Sequence, residues 1–151
     1  KIVMTGKEYA EIIDSFDVEN NSKYLPHNGH TYCNIFAQDV AKECGTPLPT
    51  GGCTSMRDQL AHNQFPKWYS VTYKQAQSRA NDGAPGIGIT PDHIVIVRPN
   101  DGTVPSDVKY VRIAQAGGTC YNDKTLAYAW SAADRSSIRF YSWYETGMPE
   151  Y

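Results

Sequence analysis

The chain lacks the sequence features of a membrane-spanning, metal-binding or nucleic-acid-binding protein. No apolar run reaches the roughly 18 residues that a membrane-spanning helix requires. The formal net charge of −2 provides no basic field for nucleic acid or for an anionic membrane. The four cysteines include no CxxC pair and no cysteine–histidine cluster of the zinc-binding type. We therefore expect no metal, no cofactor, no nucleic-acid partner and no membrane span.

The beginning of the sequence shows no charged stretch followed by an apolar one, so no signal peptide is visible. The 151 residues suit one domain, residues 1–151, with enough buried surface for a core that needs no metal or disulfide. We expect this domain to be a monomer. Eleven tyrosines and three tryptophans are many for this length. Such rings line clefts that bind sugars or peptides, but they also serve as ordinary core residues.

The first half of the chain predicts helices. Apolar residues recur at helical spacing from Thr5 to Phe16, and Thr5 with Glu8 has the form of a capping box, so this segment is predicted as a helix. A second helix is predicted with Thr31 as its N-cap and Cys44 as its last residue, because a Gly/Pro-rich loop follows. Shorter helices are predicted over residues 55–62 and 75–81.

The second half of the chain predicts strands. Residues 93–98 (HIVIVR) are β-branched and apolar on both faces, which is typical of a central strand covered on both sides. Residues 109–116 and 138–144 are predicted as further strands. The Gly- and Pro-rich segment 83–91 is interpreted as a flexible loop, and residues 68–73 are ambiguous between strand and helix. Helices followed by antiparallel strands predict an α+β fold.

Cys33 is the candidate nucleophile. It lies in the first turn of the predicted second helix, where free N–H groups and the helix dipole favour a thiolate over a thiol. The alternative is that Cys33 is a small buried core residue, which is common for a free cysteine. If Cys33 stays reduced, the other three cysteines allow at most one disulfide. Cys53 and Cys120 are then the favoured pair, because Cys53 lies in a glycine-rich loop and Cys120 follows a Gly-Gly turn.

His93 is the candidate general base. It opens the predicted central strand behind a Gly/Pro-rich segment, so its ring can face a cleft within reach of a thiol. The alternative is a core or surface histidine with no chemical role. His27 and His30 precede Cys33 closely enough in sequence to line the same site, whereas His62 is interpreted as a solvated helix end.

Gln115 is the candidate third member of the catalytic set, as the residue that orients His93. It is in phase with the inward-facing Val111 and Ile113 of its strand, so its amide lies among buried residues and its carbonyl can fix the histidine tautomer. The alternative is a glutamine that caps a strand edge. Asp92 is a poorer orienting residue, because it points to the face opposite His93.

Three segments together resemble the NlpC-type and CHAP-type cysteine peptidases. Residues 32–40 (YCNIFAQDV), followed by 45–49 (GTPLP), resemble the nucleophile helix of this family, and residues 92–97 (DHIVIV) resemble its histidine strand. Residues 113–117 (IAQAG) resemble the strand that carries the third polar residue. The resemblance implies a papain-like core, in which the cysteine helix packs on an antiparallel sheet that bears the histidine.

The resemblance also implies hydrolysis of peptidoglycan amide bonds by a secreted, periplasmic or cell-wall-associated enzyme. The stem-peptide bond after γ-D-glutamate is favoured. The alternatives are an N-acetylmuramoyl-L-alanine amidase, an acyltransferase of the same superfamily and a non-catalytic wall-binding module, and a cognate inhibitor is a further partner to consider. The family pattern differs here at Asp92, where glycine is usual, and around the cysteine. Candidate substrate-binding residues are Tyr24, near the oxyanion region, and His30, Tyr32 and Asn34.

Overall fold

The computed structural model describes residues 4–62 and 67–146, which form an α+β fold of helices and a six-stranded antiparallel sheet. No helix in these two ranges is long and apolar enough to cross a bilayer. The helices are α1 (Gly6–Ser15), α2 (Cys33–Glu43), α3 (Cys53–Ala61) and α4 (Tyr73–Asn81). The strands are β1 (Trp68–Val71), β2 (Gly86–Ile89), β3 (Ile94–Val97), β4 (Arg112–Gln115), β5 (Tyr121–Thr125) and β6 (Arg139–Trp143).

The sheet has the strand order β1-β6-β2-β3-β4-β5, and each neighbouring pair is antiparallel. Strand β6, the last strand within the described residues, therefore lies between β1 and β2. Helix α2 packs against β3 and β4, and α4 packs against β2 and β6. This packing places the N-terminus of α2 beside the strands that carry His93 and Gln115.

The predicted first helix is confirmed as α1, with the capping box between Thr5 and Glu8. The buried Tyr9 joins this helix to the sheet, since its hydroxyl donates to the Val97 carbonyl at 2.6 Å. The second helix begins later than predicted. Tyr32, not Thr31, is the N-cap of α2, and no side chain of the described residues caps its first turn. The N–H groups at this helix end are therefore available to an anion.

The interpretation of residues 83–91 as a flexible loop is wrong, because this segment contains the fully buried strand β2. Gly83 forms the turn after α4 with a positive φ of 98°, whereas Gly88 lies within the strand and allows close packing. A Cβ on Gly88 would lie 3.1 Å from the Phe140 ring and 3.4 Å from a Val95 methyl, so any other residue requires the Phe140 ring to move by a few tenths of an ångström. The predicted central strand is confirmed, and all four residues of β3 are buried.

Candidate active site

Helix α2 positions the Cys33 thiol. Cys33 is the first residue of the helix and is only 8% exposed, so its sulfur lies between the helix end and the sheet. Three groups surround this sulfur: the Cys53 thiol, with an Sγ–Sγ distance of 3.8 Å, the His93 side chain and the backbone N–H of Ile94. The thiol therefore has a nearby base and two hydrogen-bond donors.

Gln115 holds the His93 ring. The Gln115 Oε1 lies 2.7 Å from His93 Nε2, and the Gln115 Nε2 donates to the Thr119 carbonyl at 2.8 Å. Because a carbonyl can only accept, Thr119 fixes which end of the amide faces the histidine, and the amide oxygen then fixes a proton on His93 Nε2. Nδ1 remains as the ring nitrogen available to Cys33. The structure thus brings together the three residues that the sequence predicted as the catalytic set.

Trp130 and Gly117 complete the surroundings of the histidine. The Trp130 ring lies edge-on to His93 with centroids 5.1 Å apart, and its indole N–H donates to Thr90 Oγ1 at 3.3 Å. Gly117 leaves room on the other side, since a Cβ there would lie 3.4 Å from both His93 Cε1 and Gln115 Nε2. The Trp130 contact restricts rotation of the imidazole ring, whereas Gly117 leaves its other side open.

These surroundings favour the thiolate of Cys33. The hydrogen bond from Cys53 is the largest influence and lowers the Cys33 pKa, while burial acts in the opposite direction. His93 lowers the Cys33 pKa further through a hydrogen bond and its charge, and the Ile94 N–H lowers it as well. The resulting Cys33 pKa lies well below the usual value for a thiol. A partly buried sulfur at a helix N-terminus beside a histidine is the setting in which cysteine acts as a nucleophile.

An open cleft of about 290 Å³ leads to His93 and Gln115. Tyr121 and Tyr128 form an edge-to-face pair along it, with ring centroids 5.4 Å apart, and Lys124 lies 5.0 Å from the Tyr128 ring centroid. The cleft therefore presents an aromatic surface beside the candidate base, and Lys124 lies against one of its two tyrosine rings. Its lining consists of Thr31, His93, Gln115, Gly117, Gly118, Thr119, Tyr121, Tyr128 and Ala129.

A smaller cavity of about 90 Å³ lies beside Cys44 and contains no comparable arrangement. Its charged lining residues are Arg79 and Glu145, and the Arg79 side chain is occupied by Ser142 Oγ and the Trp143 carbonyl at 2.7 Å each. No histidine lines this cavity among the described residues. The cleft at His93 is the candidate active site, because it is lined by His93 and Gln115.

The predicted substrate-binding residues are not gathered in the same way. Tyr24 is buried and its hydroxyl donates to Asp39 at 2.6 Å, which favours a structural role over the predicted one at the oxyanion. The exposed His30 forms an isolated β-bridge with His27, and Tyr32 is half-buried at the N-cap of α2. The roles of His30 and Tyr32 in substrate binding stay predictions.

Asn34 has a structural partner as well, because its amide donates to the Gly51 carbonyl at 3.3 Å.

The predicted disulfide between Cys53 and Cys120 is wrong, and all four cysteines are free thiols. Cys53 opens α3 against Cys33, whereas the Cys120 thiol donates to the Tyr24 carbonyl at 3.4 Å. The two sulfurs have different neighbours and do not meet.

No protein-family model matches this chain, and no match was found among curated proteins. Within residues 4–62 and 67–146, no group of three or more histidine, cysteine, aspartate or glutamate side chains is arranged to hold a metal ion.

Proposed function

We propose that this protein is a cysteine hydrolase that cleaves amide bonds in peptidoglycan, with a papain-like arrangement of nucleophile helix and histidine strand. The observation that carries this proposal is the line of contacts from Cys33 through His93 and Gln115 to Thr119. A nucleophile beside a base, with the base oriented by a third group, is the arrangement that acyl transfer requires.

The proposed reaction runs through a thioester. The Cys33 thiolate attacks the amide carbonyl carbon, and the resulting oxyanion is stabilised by the uncapped first-turn N–H groups of α2. The C–N bond then breaks while His93 donates a proton to the leaving amine. In the second half, His93 takes a proton from water, the hydroxide attacks the thioester, and the Cys33 thiolate leaves with a carboxylic acid as the product.

The cleft supports a peptide substrate with negative charge. Tyr121 and Tyr128 offer an aromatic surface for an extended chain, and Lys124 beside Tyr128 is a suitable partner for a carboxylate. The peptidoglycan stem peptide contains free carboxylates. Cleavage after γ-D-glutamate is the favoured bond, on the strength of the sequence resemblance, and a secreted, periplasmic or cell-wall location follows from this substrate. A monomer is sufficient, since Cys33, His93 and Gln115 come from one chain.

The test compares peptidoglycan sacculi incubated with wild-type protein, Cys33→Ala and, as a matched control on the same helix, Cys44→Ala. We expect the wild type and Cys44→Ala to release fragments with new amine termini, identified by mass spectrometry, and Cys33→Ala to release none. A free amine on the third residue of the stem identifies the γ-D-glutamyl bond, whereas a free L-alanine amine identifies the amidase alternative.

Other results would contradict the proposal. Equal release by Cys33→Ala would exclude Cys33 as the nucleophile. Protein that sediments with sacculi but releases nothing would indicate a wall-binding module. Fragments that gain an added amine or lipid acceptor at the cleaved carbonyl, with no free acid, would indicate an acyltransferase.

A further inference from the structure

Two helices begin with a cysteine at the same place in the fold. Cys33 is the first residue of α2 and Cys53 is the first residue of α3, and their sulfurs lie 3.8 Å apart. Their exposed fractions, 8% and 9%, are nearly equal. A disulfide bond is about 2.05 Å long, so the two sulfurs need to approach by less than about 2 Å to become linked.

The loop before Cys53 is attached to α2. The Gly51 carbonyl accepts hydrogen bonds from Asn34 Nδ2 at 3.3 Å and from Gln38 Nε2 at 2.9 Å, and the same Gln38 amide donates to the Pro49 carbonyl at 3.0 Å. Gly51 has a positive φ of 98°, a conformation that suits glycine. These contacts keep the Cys53 thiol beside Cys33.

The two thiols differ in chemical state. The neighbours of Cys33 favour its thiolate, whereas the pKa of Cys53 is raised, first by its hydrogen bond to Cys33 and then by burial and by the charges of Cys33 and Asp92. Peroxides react with thiolates, so Cys33 is the sulfur that is oxidised first. Oxidation removes the negative charge of Cys33, and so weakens the two influences of Cys33 that raise the Cys53 pKa, its hydrogen bond and its charge.

We propose that Cys33 and Cys53 form a peroxide-sensitive modification site, in which Cys33 is oxidised and Cys53 resolves it as a reversible disulfide. In the first step the Cys33 thiolate attacks one oxygen of hydrogen peroxide, the O–O bond breaks, and a proton completes water and a sulfenic acid. In the second step the Cys53 sulfur attacks the Cys33 sulfur, the S–O bond breaks, and the leaving hydroxide takes the Cys53 proton as water. Peroxide is the two-electron oxidant.

The functional consequence rests on the proposed function: a linked Cys33 cannot attack an amide, so the disulfide switches hydrolysis off until a dithiol reduces it. Cys53 also protects Cys33, because the disulfide forms in competition with irreversible oxidation to the sulfinic acid. The other cysteines are poorly suited to replace Cys53. Cys44 is at the opposite end of α2, and Cys120 contacts the Tyr24 carbonyl.

The experiment maps thiols in the Cys44→Ala protein after treatment with hydrogen peroxide, alkylation and trypsin. Peptide 24–42 then contains Cys33 and peptide 43–57 contains Cys53, each as its only cysteine. We expect one linked species of these two peptides, with a mass lower by two hydrogens than their sum, and its loss on treatment with dithiothreitol. A Cys33 sulfinic acid without this linked species would overturn the proposal.

A second measurement compares wild type with Cys53→Ser and Cys53→Ala, scored as the fraction of hydrolysis recovered by dithiothreitol after peroxide. We expect nearly full recovery for the wild type and at least about fivefold less for either variant, because their Cys33 proceeds to the sulfinic acid. Equal recovery in all three proteins would overturn the proposal. A linked species in a protein whose reduced form hydrolyses nothing would contradict the proposed function while leaving the thiol pair established.

Discussion

The two ends of helix α2 each carry a cysteine, and the two thiols have opposite properties. Cys33 at the N-terminus has a lowered pKa, whereas burial, and then the charge of Glu43, raise the pKa of Cys44 at the C-cap to about 12. The neighbouring groups decide which thiol is reactive. Cys53, His93 and the Ile94 N–H stabilise the Cys33 thiolate against its burial, whereas burial and the charge of Glu43 both oppose a thiolate at Cys44.

Removing His93 should raise the pKa of Cys33 and lower its reactivity, so that Cys33 becomes more like Cys44. We expect His93→Ala to lower kcat for peptidoglycan hydrolysis by about 10³-fold, because the base and one source of the lowered Cys33 pKa are both lost. The matched control is His62→Ala, since His62 is an exposed helix-end residue that bonds to the Asp58 carbonyl at 2.7 Å. Equal loss in both variants would show that the effect does not depend on the site.

Alkylation at pH 6 compares the two thiols directly. We expect iodoacetamide to modify Cys33 at least about 10²-fold faster than Cys44. At this pH the fraction of Cys44 in the thiolate form is about 10⁻⁶, and the weaker nucleophilicity of a low-pKa thiolate offsets only part of that difference. Tryptic mapping gives both rates in one sample when peptide 43–57 is fragmented further to separate Cys44 from Cys53. Faster modification of Cys44 would contradict the assigned thiol states.

Gln115→Leu removes the acceptor that holds His93 and should lower kcat by about 10²-fold at most, by misplacing the imidazole ring. KM should change little, because Gln115 acts through His93 on the reacting groups. Gln115→Glu keeps an acceptor of the same length and should recover part of the lost kcat. If both variants raise KM and leave kcat unchanged, Gln115 is a substrate-binding residue and not a positioning one.

Cys53→Ala should shift the acidic limb of the pH–rate profile to higher pH. The Cys53 hydrogen bond lowers the Cys33 pKa, so its removal raises that pKa and the thiolate appears later as the pH rises. We expect a shift of about one pH unit, since a hydrogen bond to a charged group contributes about 1.5 kcal/mol or more. Cys44→Ala should leave the limb in place. If the acidic limb of the pH–rate profile stays in place in Cys53→Ala, Cys53 does not lower the Cys33 pKa.

The smallest expected effect concerns the middle of α2. Tyr24→Phe removes the hydrogen bond to Asp39 and should lower the free energy of unfolding by about 1 kcal/mol, measured by urea denaturation. Its kcat should stay within about twofold of wild type. A loss of about 10²-fold in kcat would instead support the sequence-based expectation that Tyr24 helps stabilise the oxyanion.

The sequence predicted the site best where local patterns carry the information. Composition and spacing were enough to place Cys33 at the start of a helix. The phase of Gln115 with Val111 and Ile113 was enough to place its side chain on the inward face of a strand. The apolar run after His93 predicted a strand and so placed His93 at its beginning. Each of these predictions needed only the element that holds the residue, and helix and strand periodicity report on that element.

The sequence could not predict contacts between segments that are distant along the chain. Cys53 was read as part of a Gly/Pro-rich loop, yet it opens α3, and its distance to Cys33 depends on how that loop attaches to α2. Trp130 lies outside the strands and meets His93 only through the fold. The sequence did not predict strand β2, because glycines such as Gly88 are typical of turns. Gly88 instead lies within the strand and allows close packing.

The most direct test of a Cys33 nucleophile is to trap the acyl group. Wild-type protein mixed with soluble muropeptides is quenched in acid during turnover and mapped after digestion. We expect a thioester on peptide 24–42, which contains Cys33 as its only cysteine. Neutral hydroxylamine should remove this thioester, and peptide 43–57 should carry none. An acyl group on peptide 43–57, or continued turnover by Cys33→Ala, would contradict a Cys33 nucleophile.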